Sequence, residues 1–166
     1  YYPDKVEFER DRGITLKVYR CSCCDLLQLC CDPVSYYKEV ITAASFSAEA
    51  RAARLKEISL FSNRFGLHGK SIIEIGSGKG GIVDIMTEAG FNAVGLEFSA
   101  ESIKYARDQK CNMIEGYLDD LDESHDSKYD AFISLNYIEH QPDTKSFINS
   151  LARITTEDAV GYITAP

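Results

Sequence analysis

Residues 71–90 constrain the fold more than any other part of the chain, because an apolar strand there runs straight into a glycine-rich turn and a helix. The strand is Ser71 to Ile75, the turn Gly76-Ser77-Gly78-Lys79-Gly80-Gly81, and the helix Ile82 to Ala89, closed by Gly90. Glycines at such a junction tolerate the positive φ that a tight turn needs and let backbone approach a ligand closely. The alternation continues downstream. Strands are expected at Asn92 to Leu96, Asn112 to Glu115, Ala131 to Leu135 and Val160 to Thr164. Helices are expected at Ala100 to Gln109, with Ser99 as N-cap, and at Asp143 to Ile154. Such a pattern predicts a parallel sheet covered by helices on both faces.

Upstream, Ala50, Ala53, Ile58, Phe61 and Phe65 recur at helical steps between Ser47, a good N-cap, and Gly66, a good helix stop. Residues 1–44 have mixed periodicity, with a strand expected at Ile14 to Tyr19 and a cysteine cluster after it. The chain therefore divides into a partial N-terminal Cys-rich segment (1–44), a linking helix (45–66) and a main domain (67–166). It has 166 residues, room for one domain with a sizeable core. It starts at Tyr1 and stops at Pro166 straight after an apolar strand, so a piece of a longer polypeptide is expected.

Formal net charge is −8 and basic residues never run together, which argues against a nucleic-acid partner. A small-molecule substrate fits better. No long apolar run suggests a membrane span, and the N-terminus lacks the order of a secretory signal, so a cytoplasmic location is expected. Oligomeric state is not legible. Five of the six cysteines lie between Cys21 and Cys31. Cys21 and Cys24 have the spacing of half a zinc knuckle, and a structural zinc would need a second pair from a flanking sequence. Otherwise these are free thiols.

The spacing Gly76-x-Gly78-x-x-Gly81 satisfies a dinucleotide fingerprint as well as other nucleotide sites, and a turn without a ligand is the plain alternative. Glu74, however, stands where a dinucleotide-binding strand usually carries an apolar residue, and an acid there can attract a cationic amino group. No Tyr-x-x-x-Lys pair follows for reductase chemistry. Gly69-Lys70-Ser71 is not a P-loop, because it precedes the strand and lacks the first glycine. Glu97, ending the second strand, is placed to accept hydrogen bonds from a ribose diol.

Residues 72 to 81, Val94-Gly95-Leu96-Glu97, and Tyr129-Asp130-Ala131-Phe132 leading into Asn136-Tyr137-Ile138-Glu139-His140 resemble the class I S-adenosylmethionine-dependent methyltransferases. The resemblance implies a Rossmann-like α/β sandwich over residues 67–166, with a sheet of seven strands. The sequence supplies five, so a sheet truncated after its fifth strand is expected, with that strand as an exposed edge. It implies that Glu74, Gly76, Ser77, Gly78 and Gly80 surround the methionine end of S-adenosylmethionine, and that Glu97 holds the ribose. Phe98 would lie beside the adenine, Tyr117 and Leu118 near its polar edge, and Asn136 under the sulfonium.

Methyl transfer is a displacement, so catalysis is mostly alignment, with a base needed where the nucleophile carries a proton. Histidine is the side chain that changes charge nearest neutral pH, so His140 is a candidate base, with Glu139 to orient it or act itself. The run RCSCCDLLQ, then Ser35-Tyr36-Tyr37, then Tyr-x-Glu-His also resembles the sugar C-methyltransferases with an N-terminal zinc-binding segment. That narrower resemblance implies Tyr37 or Tyr36, with Tyr137, Glu139 and His140, around the reaction site. The expected activity is methyl transfer to a small molecule, a keto sugar carbon first. A phenol or quinol oxygen is the alternative, and a non-catalytic S-adenosylmethionine-binding fragment the third reading. His68 and His125 have no spaced partners suggesting a metal site.

Overall fold

A computed structural model of the chain describes residues 9, 13, 15–32, 46–121 and 128–166, which fall into two compact units divided after Tyr36. In the first unit, β1 (Val18–Arg20) and β2 (Leu27–Leu29) form an antiparallel hairpin with Val18 opposite Leu29. Cys21 N–H donates to the Leu26 carbonyl at 2.8 Å and Asp25 N–H to the Cys21 carbonyl at 3.0 Å, closing the turn. The strand β2 has no counterpart in the sequence reading, because three residues carry too little periodicity to register. Ile14, expected to open β1, lies outside the described residues.

The first element described in the second unit is α1 (Ala48–Phe65). Its first turn is capped by Ser47 Oγ, which accepts from Ala50 N–H at 3.2 Å, and Gly66 ends it at φ 65°. Then β3 (Ser71–Ile75), α2 (Gly81–Glu88), β4 (Asn92–Glu97), α3 (Ala100–Asp108) and β5 (Met113–Glu115) follow in order. After β6 (Tyr129–Leu135) come α4 (Thr144–Ile154), capped by Asp143, and β7 (Thr155–Thr164). The five strands β3 to β7 form one sheet in the order β5-β4-β3-β6-β7, every pairing parallel.

The expectation of a sandwich truncated after its fifth strand is corrected here. Seven strands form among the described residues, two in the hairpin and five in the sheet. The last of them is no frayed stub: β7 is ten residues long and pairs with β6 from Thr155 opposite Tyr129 to Thr164 opposite Leu135. It starts at Thr155 instead of Val160, since Thr155 to Asp158 are polar and a hydrophobic pattern cannot reveal them. A register shift between Tyr129 and Ala131 absorbs the extra residues.

Alternation along β3 splits the core between two layers. Ile72 packs with Ile58, Ile85, Met86 and Ile103 on the face covered by α1, α2 and α3. Ile73 and Ile75 pack with Phe147, Leu151 and Ile154 of α4 on the other face. No helix among the described residues is long and apolar enough to cross a membrane.

Candidate functional site

The strand order reverses at β3, with β4 on one side and β6 on the other, so a crevice opens beyond the carboxyl ends of these three strands. It is a cleft of about 920 Å³ whose walls include Glu74, Gly76, Gly78, Glu97, Asn136 and Tyr137. Ligand sites of this kind commonly measure about 300–1,000 Å³. Its floor is the glycine turn. Gly76 has φ 77°, and a Cβ there would lie 2.4 Å from Cδ2 of Tyr137, so the residue needs both its left-handed backbone and its missing side chain. Gly76 and Ser77 both donate their N–H to the Leu96 carbonyl at 3.0 Å, and the Ser77 hydroxyl donates to the same oxygen at 3.1 Å. Ser77 thus braces the turn against β4, while Gly78 and Gly80, at φ 50° and 78°, carry it into α2.

Two buried carboxylates face each other across this floor. Glu97 binds backbone through both oxygens: Oε2 accepts from Gly78 N–H at 2.8 Å, and Oε1 from Phe98 and Ser99 N–H at 3.1 and 3.0 Å. Oε1 is thus filled by two donors, while Oε2 keeps lone-pair capacity for a further one. Glu74 is 4% exposed, and its Oε2 has no hydrogen-bond partner. Burial, and then the neighbouring Glu97, push its carboxyl well above the usual carboxylate range. A buried acceptor left bare costs free energy, so this oxygen is provision for something that enters the cleft.

Across the cleft the Phe98 and Tyr117 rings stack at 5.1 Å with 14° between their planes. Leu118 is buried beside them, and Tyr117 N–H donates to Asp120 at 2.9 Å. A smaller cavity of about 200 Å³ lies behind these rings, walled also by Asp119, Tyr137 and Phe147. Asn136 sits at φ 49°, where its N–H donates to the Thr164 carbonyl at 3.0 Å and its Oδ1 accepts from the Thr164 hydroxyl at 3.1 Å. The edge strand β7 therefore fixes the conformation of Asn136, and with it the direction in which Tyr137 leaves β6.

Glu139 and His140 lie on a single 3-10 turn, Ile138–His140, exposed beyond the cleft wall, which ends at Tyr137. The structure thus places Tyr137 in the cleft wall, whereas Glu139 and His140 line neither cavity. Tyr36 and Tyr37 lie outside the described residues. Cys21 and Cys24 sit in the hairpin turn, where the N–H groups of Cys24 and Cys23 and the Cys24 thiol lower the Cys21 thiol from its ordinary value. All six cysteines are free, and among the described residues no group of three or more His, Cys, Asp or Glu could hold a metal. The conditional zinc site therefore has no support among the described residues, since two thiols on one turn do not make a tetrahedral site.

Among the cleft residues that sequence reasoning missed are Phe46, Arg54 and Tyr105. Arg54 reads as the polar face of an amphipathic helix, and only the packing of α1 beside α2 turns it inward. Its guanidinium bonds Glu57 at 2.6 Å, and Glu57 also accepts from the Tyr162 hydroxyl on β7. Partial burial opposes ionisation of Glu57, but the bonds from Tyr162 and Arg54 outweigh it and hold the carboxyl below its ordinary value.

With this geometry in place, the comparisons are specific. The family described as a methyltransferase domain matches residues 73–163, from β3 to β7. A ubiquinone biosynthesis O-methyltransferase of Actinobacillus pleuropneumoniae is 29% identical over 105 residues, covering 57% of this chain and 45% of that protein. The chain thus spans less than half the length of this curated relative. Among solved structures, DesVI of Streptomyces venezuelae superposes with TM-score 0.61 at 19% identity, over 72% of this chain and 52% of that one. The plantazolicin methyltransferase BpumL, solved with a desmethyl plantazolicin analogue and SAH, gives 0.59 at 20% identity, over 70% and 47%. At these identities the two structures show the fold.

Proposed function

The chain belongs to the methyltransferase domain family that matches residues 73–163, and from that premise we propose that it transfers a methyl group from S-adenosylmethionine to the oxygen of a small phenol or quinol. The observation that carries the reading is the bare Oε2 of Glu74, buried in the same cleft that Arg54 lines. A carboxyl oxygen that can ionise against a cation, and a guanidinium in the same cleft, suit the ammonium and carboxylate of an amino acid, which is the methionine end of this cofactor. The glycine turn supplies the close approach, Glu97 an acceptor for ribose hydroxyls, and the Phe98 and Tyr117 rings apolar faces for adenine.

Bound there, S-adenosylmethionine supplies an electrophilic methyl group on a positive sulfur. The residues of this chain do the remaining work. Tyr137, locked over Gly76, walls the cleft on the side where an acceptor would enter. Alignment of acceptor, methyl and sulfur provides most of the acceleration in such a displacement. The proton of a phenol needs an outlet, and His140 with Glu139, exposed on the turn that follows Tyr137, offers one to solvent. The smaller cavity beside Tyr137 leaves room for an aromatic group.

An oxygen acceptor is favoured over a keto sugar carbon by the curated relatives, which are O-methyltransferases. A panel of catechols, quinols and nucleotide-linked keto sugars incubated with methyl-labelled S-adenosylmethionine tests it. Label in a methyl ether supports the reading. Label on a sugar carbon, or none in any acceptor although cofactor binds, would sink it.

A further inference from the structure

We propose that Tyr162 and Glu57 are positioning residues that hold the Arg54 guanidinium in the cleft, ready for the carboxylate of the bound cofactor; this rests on the cofactor reading above. Arg54 projects from α1, but what orients it comes from the opposite end of the fold's sequence. The Tyr162 hydroxyl donates to Oε1 of Glu57, and Arg54 Nη1 donates to Oε2 of the same carboxylate at 2.6 Å. Glu57 is therefore held at both oxygens, and 105 residues of chain separate it from the tyrosine.

Three features make this more than a surface ion pair. The relay ends in the cleft, since Arg54 is one of its walls. Tyr162 is anchored by its ring against Phe61, centroids 5.8 Å apart, and by pairing with Ile133 of β6, one strand from Glu74. The hydrogen bond to Glu57 also raises the Tyr162 phenol above its ordinary value, so it stays a donor well beyond neutral pH. An arginine loses much rotamer freedom when a ligand immobilises it, and a carboxylate that already fixes one of its nitrogens removes part of that loss. One nitrogen is spent on Glu57, and the others remain for a ligand.

Titration calorimetry with S-adenosylhomocysteine and with its decarboxylated analogue separates this role from mere bracing of α1. Tyr162→Phe keeps the ring and its packing, and Glu57→Gln keeps the side-chain volume. Each should weaken S-adenosylhomocysteine roughly fivefold, as for part of one charge-assisted hydrogen bond, and leave the analogue within about twofold of the unaltered chain. In an Arg54→Met background, Tyr162→Phe should have no further effect on either ligand. Equal weakening of both ligands, no weakening of either, or an undiminished effect without Arg54 would overturn the relay. If the unaltered chain bound neither ligand, the cofactor reading itself would fall, an outcome distinct from those three.

Discussion

The backbone N–H of Gly78 donates to a carboxylate oxygen of Glu97 at 2.8 Å, nineteen residues away in sequence. The other oxygen takes the N–H groups of Phe98 and Ser99, so one buried acid ties the glycine turn to the end of β4 and to the start of α3. Substituting Glu97→Gln leaves one oxygen to serve three donors and turns an amide N–H₂ toward them. Unfolding in urea should show a loss of about 2 kcal/mol, the range for hydrogen bonds to charged groups. S-adenosylhomocysteine should bind at least tenfold more weakly, by about 1.4 kcal/mol, because the turn no longer holds its shape. An unchanged midpoint with unchanged affinity would show that Glu97 does neither job.

Glu74 predicts a pH dependence of opposite sign to that of a paired surface acid. Its folded pKa lies above the unfolded value, through burial first and the Glu97 charge second. The unfolded chain therefore binds fewer protons than the folded one once pH passes the ordinary value of 4.5, and stability falls as pH rises from there through the folded pKa. Glu74→Gln should be more stable than the unaltered chain near neutral pH, the gap closing as pH drops toward the ordinary carboxylate range. Urea titrations at several pH values would measure it. A cationic ammonium entering the cleft favours the ionised form, so ligand binding should release a proton. The calorimetric heat should then change with the ionisation enthalpy of the buffer, and should not in Glu74→Gln.

Gly76 and Tyr137 predict a strain that one variant creates and a second partly relieves. A Cβ at Gly76 would lie 2.4 Å from the tyrosine ring, at φ 77°. Gly76→Ala should destabilise by roughly 1–3 kcal/mol, combining the left-handed backbone with the clash. Adding Tyr137→Ala should recover the clash and not the backbone component, giving clear non-additivity in a double-mutant cycle followed by thermal unfolding.

The two carboxylates and the glycine turn were legible in the sequence because each is local: a strand, a turn and an acid at the end of the next strand announce themselves by spacing. Arg54 was not, since its role depends on α1 packing beside α2, and nothing in a helix's own periodicity says which polar residue a distant wall will claim. Glu57 and Tyr162 were hidden for the same reason, their hydrogen bond spanning 105 residues. The start of β7 escaped because Thr155 to Asp158 form an edge of polar residues, where strand pairing leaves no hydrophobic signature. Asn136, read only as a motif residue, owes its left-handed conformation to Thr164, a contact that exists only once β7 lies against β6.

His140 and Glu139 separate catalysis from stability. Both are exposed on the 3-10 turn that follows Asn136 and Tyr137, so neither supports the core. His140→Ala and Glu139→Gln should each shift unfolding by no more than about 0.5 kcal/mol, as for surface sites away from buried networks. S-adenosylhomocysteine affinity should hold, since neither residue lines the cleft. If His140 carries the acceptor proton away, its removal should lower kcat toward a phenol by roughly 10²-fold with little change in KM for the cofactor. The loss should shrink as assay pH approaches the acceptor's own pKa, where the phenolate forms unaided. A kcat that falls equally at every pH would mean that His140 shapes the turn instead of moving a proton. An unchanged kcat would pass the role to Glu139 or to solvent.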